Sequence, residues 1–285
     1  MEADPHDGTG GRPQYFRPQS LTELFALLSA HGPETRLLAG GTDLLVRVRK
    51  GFGWPAAIVD LKKVAELGAA IEELDGRIRI GARVVMTDII EHERLREHFP
   101  ALVEAARVVG SVQIRNRATL AGNLCNASPA ADTAPPLLAH GAIVNLVSAN
   151  GGRQMPLTEL FAGPGRTVLA PGDIVESIDL PLPTELTGGA FGRLTRRHGV
   201  DLAIVSVCCV ARPSGEVRFS FGAVGPRPFV VTSHRDAPID DVLRDARPIS
   251  DLRASTEYRR AMLAVITRRT LNAALQRMHD VRGRA

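Results

Sequence analysis

Aromatic side chains are scarce in this sequence, where Phe, Trp and Tyr make up 4% of 285 residues and Trp occurs once. A protein that binds nucleic acid by base stacking needs more of them. Charge of one sign is also missing, because 35 Lys and Arg stand against 31 Asp and Glu, spread along the chain. We therefore expect a mixed surface and no nucleic-acid partner.

Cysteine is rare as well. Cys125, Cys208 and Cys209 form an odd set with two adjacent members, which argues against a disulfide framework. No spacing matches a zinc or iron–sulfur site, so the sequence predicts no metal on this chain. A nucleophilic Cys125 would need a basic partner that the sequence does not show, and a small packed thiol is the preferred interpretation.

Neither an export signal nor a membrane span is expected. Residues 1–13 lack the basic start and apolar run of a secretory signal, and we expect a disordered tail there. The apolar runs are much shorter than a bilayer requires, which predicts no membrane span. With few cysteines, the expected location is the reducing cytoplasm.

What the sequence does contain is a succession of short helix and strand patterns typical of a mixed α+β fold. A helix over 20–30, strands over 35–39 and 57–61, and a helix over 42–48 predict a first lobe at 14–64. A second lobe at 65–180 starts with a hairpin around Asp75-Gly76 and continues with helices over 87–95, 101–109 and 135–139. A turn-rich stretch at 111–123 and strands over 142–147 and 174–180 complete it. The Pro- and Gly-rich residues 181–189 predict a linker to a C-terminal domain at 190–285, with strands over 203–211 and 217–221 and a closing helix over 257–278.

The segment LLAGGTDLL has the composition of a phosphate-binding turn. Gly40 and Gly41 allow positive φ and a close approach, and Thr42 and backbone N–H groups could hold a phosphate near a helix start. It is not a dinucleotide-binding GxGxxG motif. An ordinary strand-to-helix turn explains the same residues equally well.

A second polar stretch, QIRNRATLAGNLCNASPAAD, offers Thr119, Gly122 and Asn123 within five positions and Asp132 beyond them. Irregular loops of this kind in a compact domain are usually functional, and Asp132 could accept a hydrogen bond from a ligand hydroxyl. The alternative is a surface turn in which Asp132 caps the helix that follows.

Two further segments are ambiguous. GPGRT at 163–167 lacks the lysine and loop length of a nucleotide-binding P-loop and is better explained as a turn that presents Arg166. RLTRRHGVDLA carries Arg193, Arg196, Arg197 and His198 before Asp201. It could neutralise an anionic cofactor or partner, or form a solvated loop with an Arg197–Asp201 ion pair.

Taken in order, these segments resemble the FAD-binding subunit of the xanthine dehydrogenase and carbon monoxide dehydrogenase family of molybdenum hydroxylases. The resemblance spans residues 14–280 and rests on nine pieces: LLAGGTDLL, IVDL, RIRIGA, QIRNRATLAGN, SPAADTAPPLLA, FAGPGRTVL, RRHGVDLAIVSV, FGAVGPRP and SDLRASTEYRR. It implies a vanillyl-alcohol-oxidase-type FAD domain of two lobes, followed by a small α+β C-terminal domain.

The resemblance also implies which residues contact FAD, and it implies no catalytic side chain. The pyrophosphate would be clamped by two segments, and the remaining contacts would surround the rest of the cofactor. The implied set is Leu37, Leu38, Ala39, Gly40, Gly41, Thr42, Asp43, Leu44, Val109, Thr119, Ala121, Gly122, Asn123, Asp132, Val175 and Arg193. This chain departs from the usual pattern at Ala121, where many relatives have Gly, and at Arg193, where many have Lys.

The implied function is electron transfer. A large molybdopterin-binding subunit would hydroxylate the substrate, and a small subunit with two two-iron two-sulfur clusters would pass electrons to FAD. From FAD they would go to NAD+, a quinone or oxygen, within a dimer of heterotrimers. The alternatives are a stand-alone FAD oxidoreductase of the same fold and a cofactor-free binding module.

Overall fold

The computed structural model describes residues 13–197 and 199–282. The predicted tail lies outside them except for Pro13. The chain begins with β1 (Gln14–Phe16), α1 (Leu21–His31), β2 (Thr35–Leu38), α2 (Leu44–Arg47) and β3 (Ala57–Asp60). The three strands form a parallel sheet in the order β1-β3-β2. Of Ser20 and Thr22, the two residues that could cap α1, Ser20 is the cap, because its hydroxyl accepts a hydrogen bond from the Glu23 amide at 3.2 Å.

Short helical turns fill the spaces between these elements. A 3₁₀ turn, Gly32–Glu34, follows α1, and another, Leu61–Lys63, follows β3. A π-helical segment, Val48–Phe52, continues α2 and contains Gly51 at a φ of 84°. In the strand order β1-β3-β2, β2 is an edge strand.

The next sheet opens with a hairpin of β4 (Ile71–Leu74) and β5 (Arg77–Gly81). Its turn residues Asp75 and Gly76 have φ values of 46° and 74°. Both values are positive, as a type I′ turn requires, so the turn prediction is confirmed.

Six short helices follow, where the sequence predicted three helices and a turn-rich stretch. They are α3 (Met86–Glu91), α4 (Glu93–His98), α5 (Pro100–Arg107), α6 (Val112–Arg115), α7 (Leu120–Cys125) and α8 (Ala134–Ala139). The single helix predicted over 87–95 is wrong, because His92 has extended backbone at ψ 120° and caps a new helix. The turn prediction for 111–123 is also wrong, since Ser111 and Thr119 each cap a helix there.

The remaining strands of the sheet come from the following residues. They are β6 (Ile143–Ser148), β7 (Gly151–Pro156) and the central β10 (Ile174–Pro181). Between β7 and β10 the chain forms α9 (Leu157–Leu160), β8 (Phe161–Gly163) and β9 (Arg166–Thr167). The antiparallel sheet has the order β4-β5-β10-β6-β7, and β8 and β9 form a separate ribbon. Residues 163–167 are the turn of that ribbon, in agreement with the preferred prediction.

Beyond residues 182–187 the chain forms a four-stranded antiparallel meander: β11 (Gly188–Leu194), β12 (Val205–Ala211), β13 (Glu216–Gly222) and β14 (Phe229–His234). After α10 (Ile239–Val242), the long α11 (Thr256–Arg282) packs across β11 and β12. Gly188 is needed for this packing, because a Cβ there would lie 1.9 Å from the Ala274 carbonyl oxygen. β11 and β14 were not predicted. The domain boundary at 181–189 stays a prediction.

Two large apolar cores and one small cluster hold the molecule together. The first core fills the space between the two N-terminal sheets and their helices, and the second lies between the meander and α11. The small cluster joins them through Ala101 and Ala139 from the N-terminal half and Cys208 and Val210 from β12. In the described residues no helix has the length and apolarity of a membrane span.

Candidate cofactor site

A cavity of about 1040 Å³ opens between β2, the start of α7, β10 and the loop after β11. This volume is at the upper end of the range for small-molecule sites, roughly 300–1000 Å³. All but two of the residues predicted to contact FAD line it: Leu37, Ala39, Gly40, Gly41, Thr42, Asp43, Leu44, Val109, Thr119, Ala121, Gly122, Asn123, Asp132 and Val175. Leu38 and Arg193 lie behind the lining, and each supports a residue that faces the cavity.

The first predicted segment is the turn between β2 and α2. Gly41 has a φ of 79°, a conformation that an L side chain rarely adopts, and its carbonyl accepts the Leu45 amide at 3.1 Å. The amides at a helix start have no partner within the helix, so those of this turn are available to a ligand. Leu38 packs against the turn, since its Cδ1 would lie 2.9 Å from a Cβ on Gly41.

Gly40 brings the first segment against the second. A Cβ at this position would lie 2.1 Å from the Arg117 carbonyl oxygen and 3.0 Å from the Ala118 Cα. Real side chains do not tolerate such distances to backbone atoms. The two predicted segments therefore touch, and the contact depends on the missing side chain.

The second predicted segment is the start of α7 and not an irregular loop. Thr119 is the N-cap residue, and its Oγ1 accepts a hydrogen bond from the Gly122 amide at 3.1 Å. A Cβ on Gly122 would lie 2.8 Å from that oxygen. Ala121 lies within the helix, so its ordinary backbone conformation causes no strain here. The Asn123 Oδ1 accepts a bond from the Thr133 hydroxyl at 2.7 Å, which fixes the amide beside the cavity.

Asp132 is buried at the cavity wall, and only one of its two carboxylate oxygens accepts a hydrogen bond from the protein. Its Oδ2 accepts a hydrogen bond from Nη1 of Arg193 at 2.6 Å, whereas its Oδ1 has no partner among the described residues. Burial raises the pKa of Asp132 to about 6, although the charge and hydrogen bond of Arg193 oppose this. The alternative that Asp132 caps α8 is wrong, because Thr133 is the N-cap residue of that helix.

The family model described as the FAD binding domain in molybdopterin dehydrogenase matches residues 10–183. The chain belongs to this family. It is similar to the xanthine dehydrogenase FAD-binding subunit of Escherichia coli O157:H7, at 32% identity over 279 residues that cover 92% of this chain and 95% of the relative. It is also similar to the carbon monoxide dehydrogenase medium chain of Hydrogenophaga pseudoflava, at 30% identity over 93% of this chain and 97% of that one.

Solved structures agree with these sequence relatives. Carbon monoxide dehydrogenase from Hydrogenophaga pseudoflava superposes with a TM-score of 0.88 at 30% identity, over 94% of this chain and 99% of that one. Quinoline 2-oxidoreductase from Pseudomonas putida 86 gives 0.85 at 25% identity, over 94% and 98%. The α+β fold implied by the sequence resemblance is confirmed, and FAD is the cofactor of this family.

The cavity fits FAD chemically. Gly40, Gly41 and Gly122 line it without side chains, so a pyrophosphate can approach the backbone there, and the amides at the start of α2 have no partner within the helix. The unpartnered Oδ1 of Asp132 is an acceptor for a hydroxyl, and FAD carries several on its sugar-derived chains. A buried acceptor without a partner costs about 1–3 kcal/mol, so a donor from the cofactor would be favoured. Val175 offers an apolar surface for a flat ring.

Several lining residues were missed by sequence reasoning. Phe52 and Trp54 lie at the cavity mouth, and the Arg47 guanidinium lies 5.6 Å from the centre of the Phe52 ring. Val200 and Leu202 line the cavity as well. The only Trp of the sequence, in FGWP, could have drawn attention to this segment, but a count of residue types does not show where a residue lies.

The prediction that Cys125 is a packed thiol is wrong, because its side chain is exposed and lines the cavity. The surrounding protein raises the pKa of this thiol to about 12 by desolvation. It is therefore protonated at neutral pH and poorly suited to act as a nucleophile. Within residues 13–197 and 199–282 no cluster of three or more His, Cys, Asp or Glu has metal-binding geometry.

Asp132→Asn is expected to change the pH dependence of stability in the FAD-free chain. The pKa of Asp132 is higher in the folded chain, at about 6, than in the unfolded chain, at about 3.9. Its contribution to the free energy of unfolding is thus fully present below pH 4 and is lost as pH rises through 6. The wild type should therefore lose about 2 kcal/mol relative to the variant between pH 4 and pH 7.

Urea unfolding of both proteins at the two pH values measures this difference. An Asp240→Asn variant, whose carboxyl group is exposed on α10, controls for the loss of one formal charge. If the free energy of unfolding changes with pH by the same amount in the wild type and in Asp132→Asn, the buried carboxyl group does not titrate as described.

Proposed function

We propose that this chain is the FAD-binding electron-transfer subunit of a multi-subunit molybdenum hydroxylase in the cytoplasm. It would receive electrons from the iron–sulfur clusters of a small partner subunit, while a large partner subunit binds molybdopterin and hydroxylates the substrate. Relatives named as medium chains or FAD-binding subunits support the existence of partners. The terminal acceptor would be NAD+, a quinone or oxygen.

One observation carries this proposal: residues far apart in sequence surround one cavity whose polar groups match FAD. Bound FAD supplies the redox chemistry, since a flavin exchanges electrons singly or in pairs. The residues of this chain bind and orient it. We assign the pyrophosphate to the segments around Gly41 and Gly122, a cofactor hydroxyl to Asp132, and the flavin ring to the side of Val175.

Arg193 has an indirect role in this assignment. It does not line the cavity, but its hydrogen bond fixes the carboxyl group of Asp132 and opposes its protonation. A lysine at this position, as in many relatives, would keep the charge but offer a single ammonium group in place of a planar guanidinium. We therefore expect Arg193→Lys to retain FAD.

The purified chain is expected to bind one FAD, with a flavin absorbance band and quenched fluorescence of Trp54. This readout is specific to the site, because Trp54 is the only Trp and lies at the cavity mouth. FAD at 100 times its Kd should stabilise the chain by about 2.7 kcal/mol. A colourless chain whose Tm does not respond to FAD would indicate a cofactor-free binding module.

Gly122→Leu tests the assignment of the second segment. The new Cβ would lie 2.8 Å from the Thr119 hydroxyl and break the cap of α7 at the cavity, so the flavin band should disappear while unfolding stays cooperative. Gly152→Leu is the matched control, since Gly152 is exposed on β7 and a Cβ there makes an ordinary 3.5 Å contact. Stoichiometric FAD in Gly122→Leu would refute the assignment.

The partner part of the proposal needs a separate experiment. The tagged chain, purified from its own cells, should bring down a molybdopterin-binding chain and a small iron–sulfur chain, both identified by mass spectrometry and metal content. A monomer that turns over a substrate of its own would instead support a stand-alone FAD oxidoreductase.

A further inference from the structure

Two aromatic side chains line the cavity, and both belong to the short segment between α2 and β3. They are Phe52 and Trp54, which we call the aromatic pair. Phe52 is 71% exposed and Trp54 is 53% exposed. Among the described residues that line the cavity no other is aromatic. Exposed rings at the wall of a ligand cavity offer a contact surface to another flat ring.

The backbone gives the aromatic pair a defined position. Gly51 and Gly53 flank Phe52 with φ values of 84° and 77°. A Cβ on either glycine would have no heavy atom within 4 Å, so these glycines serve the positive φ and not a close contact. The Arg47 guanidinium lies 5.6 Å from the centre of the Phe52 ring, a cation–π contact that favours this ring position. The pair is therefore presented to the cavity by a specified turn.

Strand β2 brings hydrogen-bonding groups to the same cavity. It pairs with β3 on one side only, and Thr35, Arg36 and Leu37 all line the cavity. An edge strand has unpaired backbone N–H and C=O groups along its free side. Adenine carries an amino donor and ring-nitrogen acceptors at its own edge, which such backbone groups can match.

The adenosine half of FAD needs a part of the cavity that the other halves leave open. With the pyrophosphate at Gly40 and Gly41, the flavin ring lies beside Val175, which belongs to β10 in the antiparallel sheet. The aromatic pair and β2 belong to the lobe of the parallel sheet instead. Arg36 precedes Gly40 so closely in the chain that the two lie at most about 14 Å apart, a distance that a nucleoside can span.

We propose that the aromatic pair and the free edge of β2 hold the adenine of FAD, and that this contact makes the chain select FAD over FMN. The inference rests on the proposed function and assigns the part of the cofactor that the pyrophosphate and flavin contacts leave open. FMN carries the same flavin but lacks the adenylate group, so it gains nothing from the pair. A base stacked on an aromatic side chain typically contributes about 5- to 150-fold in affinity.

The test is isothermal titration of FAD and of FMN into the full chain freed of flavin. Trp54→Ala should weaken FAD binding by about 5- to 150-fold and leave the Kd of FMN unchanged, because only FAD brings a base to this position. Phe52→Ala should act in the same direction. Trp54→Phe should restore most of the affinity, since it keeps an aromatic face. Heat is the signal, so the loss of Trp54 does not remove it.

Tyr258→Ala is the matched control, because Tyr258 is an exposed aromatic residue on α11. It should keep both wild-type Kd values. Unchanged FAD affinity in both Trp54→Ala and Phe52→Ala would overturn the adenine assignment and leave the proposed function standing. Equal losses for FAD and FMN would also overturn it, by placing the flavin at the aromatic pair. A wild-type chain that binds neither flavin would refute the proposed function and this assignment with it.

Photolabelling locates the base without relying on the strength of FMN binding. FAD that carries an azide on its adenine ring should, on illumination, label peptides that contain β2 or the aromatic pair, as identified by mass spectrometry. An excess of unmodified FAD should prevent the label. Label confined to β10 or to Val200 and Leu202 would overturn the assignment.

Discussion

Gly40→Ala is expected to deprive the chain of stoichiometric FAD. The new methyl group would lie 2.1 Å from the Arg117 carbonyl oxygen, and a backbone oxygen cannot move aside as a flexible side chain can. The two cofactor-binding segments would have to separate. Overpacking of a tight contact costs about 1–3 kcal/mol, which corresponds to a loss of about 5- to 150-fold in FAD affinity when the strain is relieved at the cavity.

Gly41→Ala provides a graded comparison. Its φ of 79° makes alanine strained, but the nearest atom to the new Cβ is the end of the Leu38 side chain at 2.9 Å, which can rotate away. The loss of affinity should be smaller than in Gly40→Ala. Titration of FAD against Trp54 fluorescence gives both Kd values, with Gly152→Ala as a control on β7. Equal affinity of Gly40→Ala and the wild type would show that this contact does not shape the site.

Arg259→Met should cause the largest loss of stability in the C-terminal half. Arg259 is 1% exposed. Its guanidinium donates to the carbonyl oxygens of Ile204 at 2.5 Å and Ala223 at 3.2 Å and pairs with Asp251 at 2.7 Å. Methionine fills much of the volume but leaves the two carbonyl oxygens without this donor, whereas Asp251 keeps its bonds from Arg253. A buried acceptor left without a donor costs about 1–3 kcal/mol, so a total loss of about 2–5 kcal/mol is expected.

The effect is measured as the free energy of unfolding in urea. Arg260→Met, one position along α11 and exposed, loses the same charge without a buried contact and should stay near the wild type. Arg259→Lys should fall between the two, because a single ammonium group cannot reach all three acceptors with the geometry of a guanidinium. A loss below about 1 kcal/mol in Arg259→Met would mean that water replaces the guanidinium.

Local sequence signals predicted local structure well. Ser20 before an apolar helix and Asp75-Gly76 between two strands each carry a turn or capping chemistry that acts over a few residues. His92 does not carry such a signal. Its ring nitrogen accepts the Leu95 amide at 3.4 Å and separates α3 from α4, which the continuous helical pattern of this region did not indicate.

The site was only partly predictable, because sequence patterns report on contacts between neighbouring residues and not on contacts between distant ones. The segments around Gly41 and Gly122 could be recognised because their composition is unusual and their order resembles a known family. The Asp132–Arg193 hydrogen bond joins residues 61 positions apart, and no local pattern specifies it. Phe52, Trp54 and Leu202 also line the cavity, and no local pattern specifies this position. The roles assigned to individual residues stay predictions until the variants are measured.

The contact between Asp132 and Arg193 has a consequence for how the protein is made. Walls of the cofactor cavity come from residues between Glu34 and Leu202, so a nascent chain that has emerged only as far as β10 presents an incomplete pocket. The carboxyl group of Asp132 would then face water without its guanidinium partner. Flavin loading should therefore follow the emergence of β11 and β12 from the ribosome.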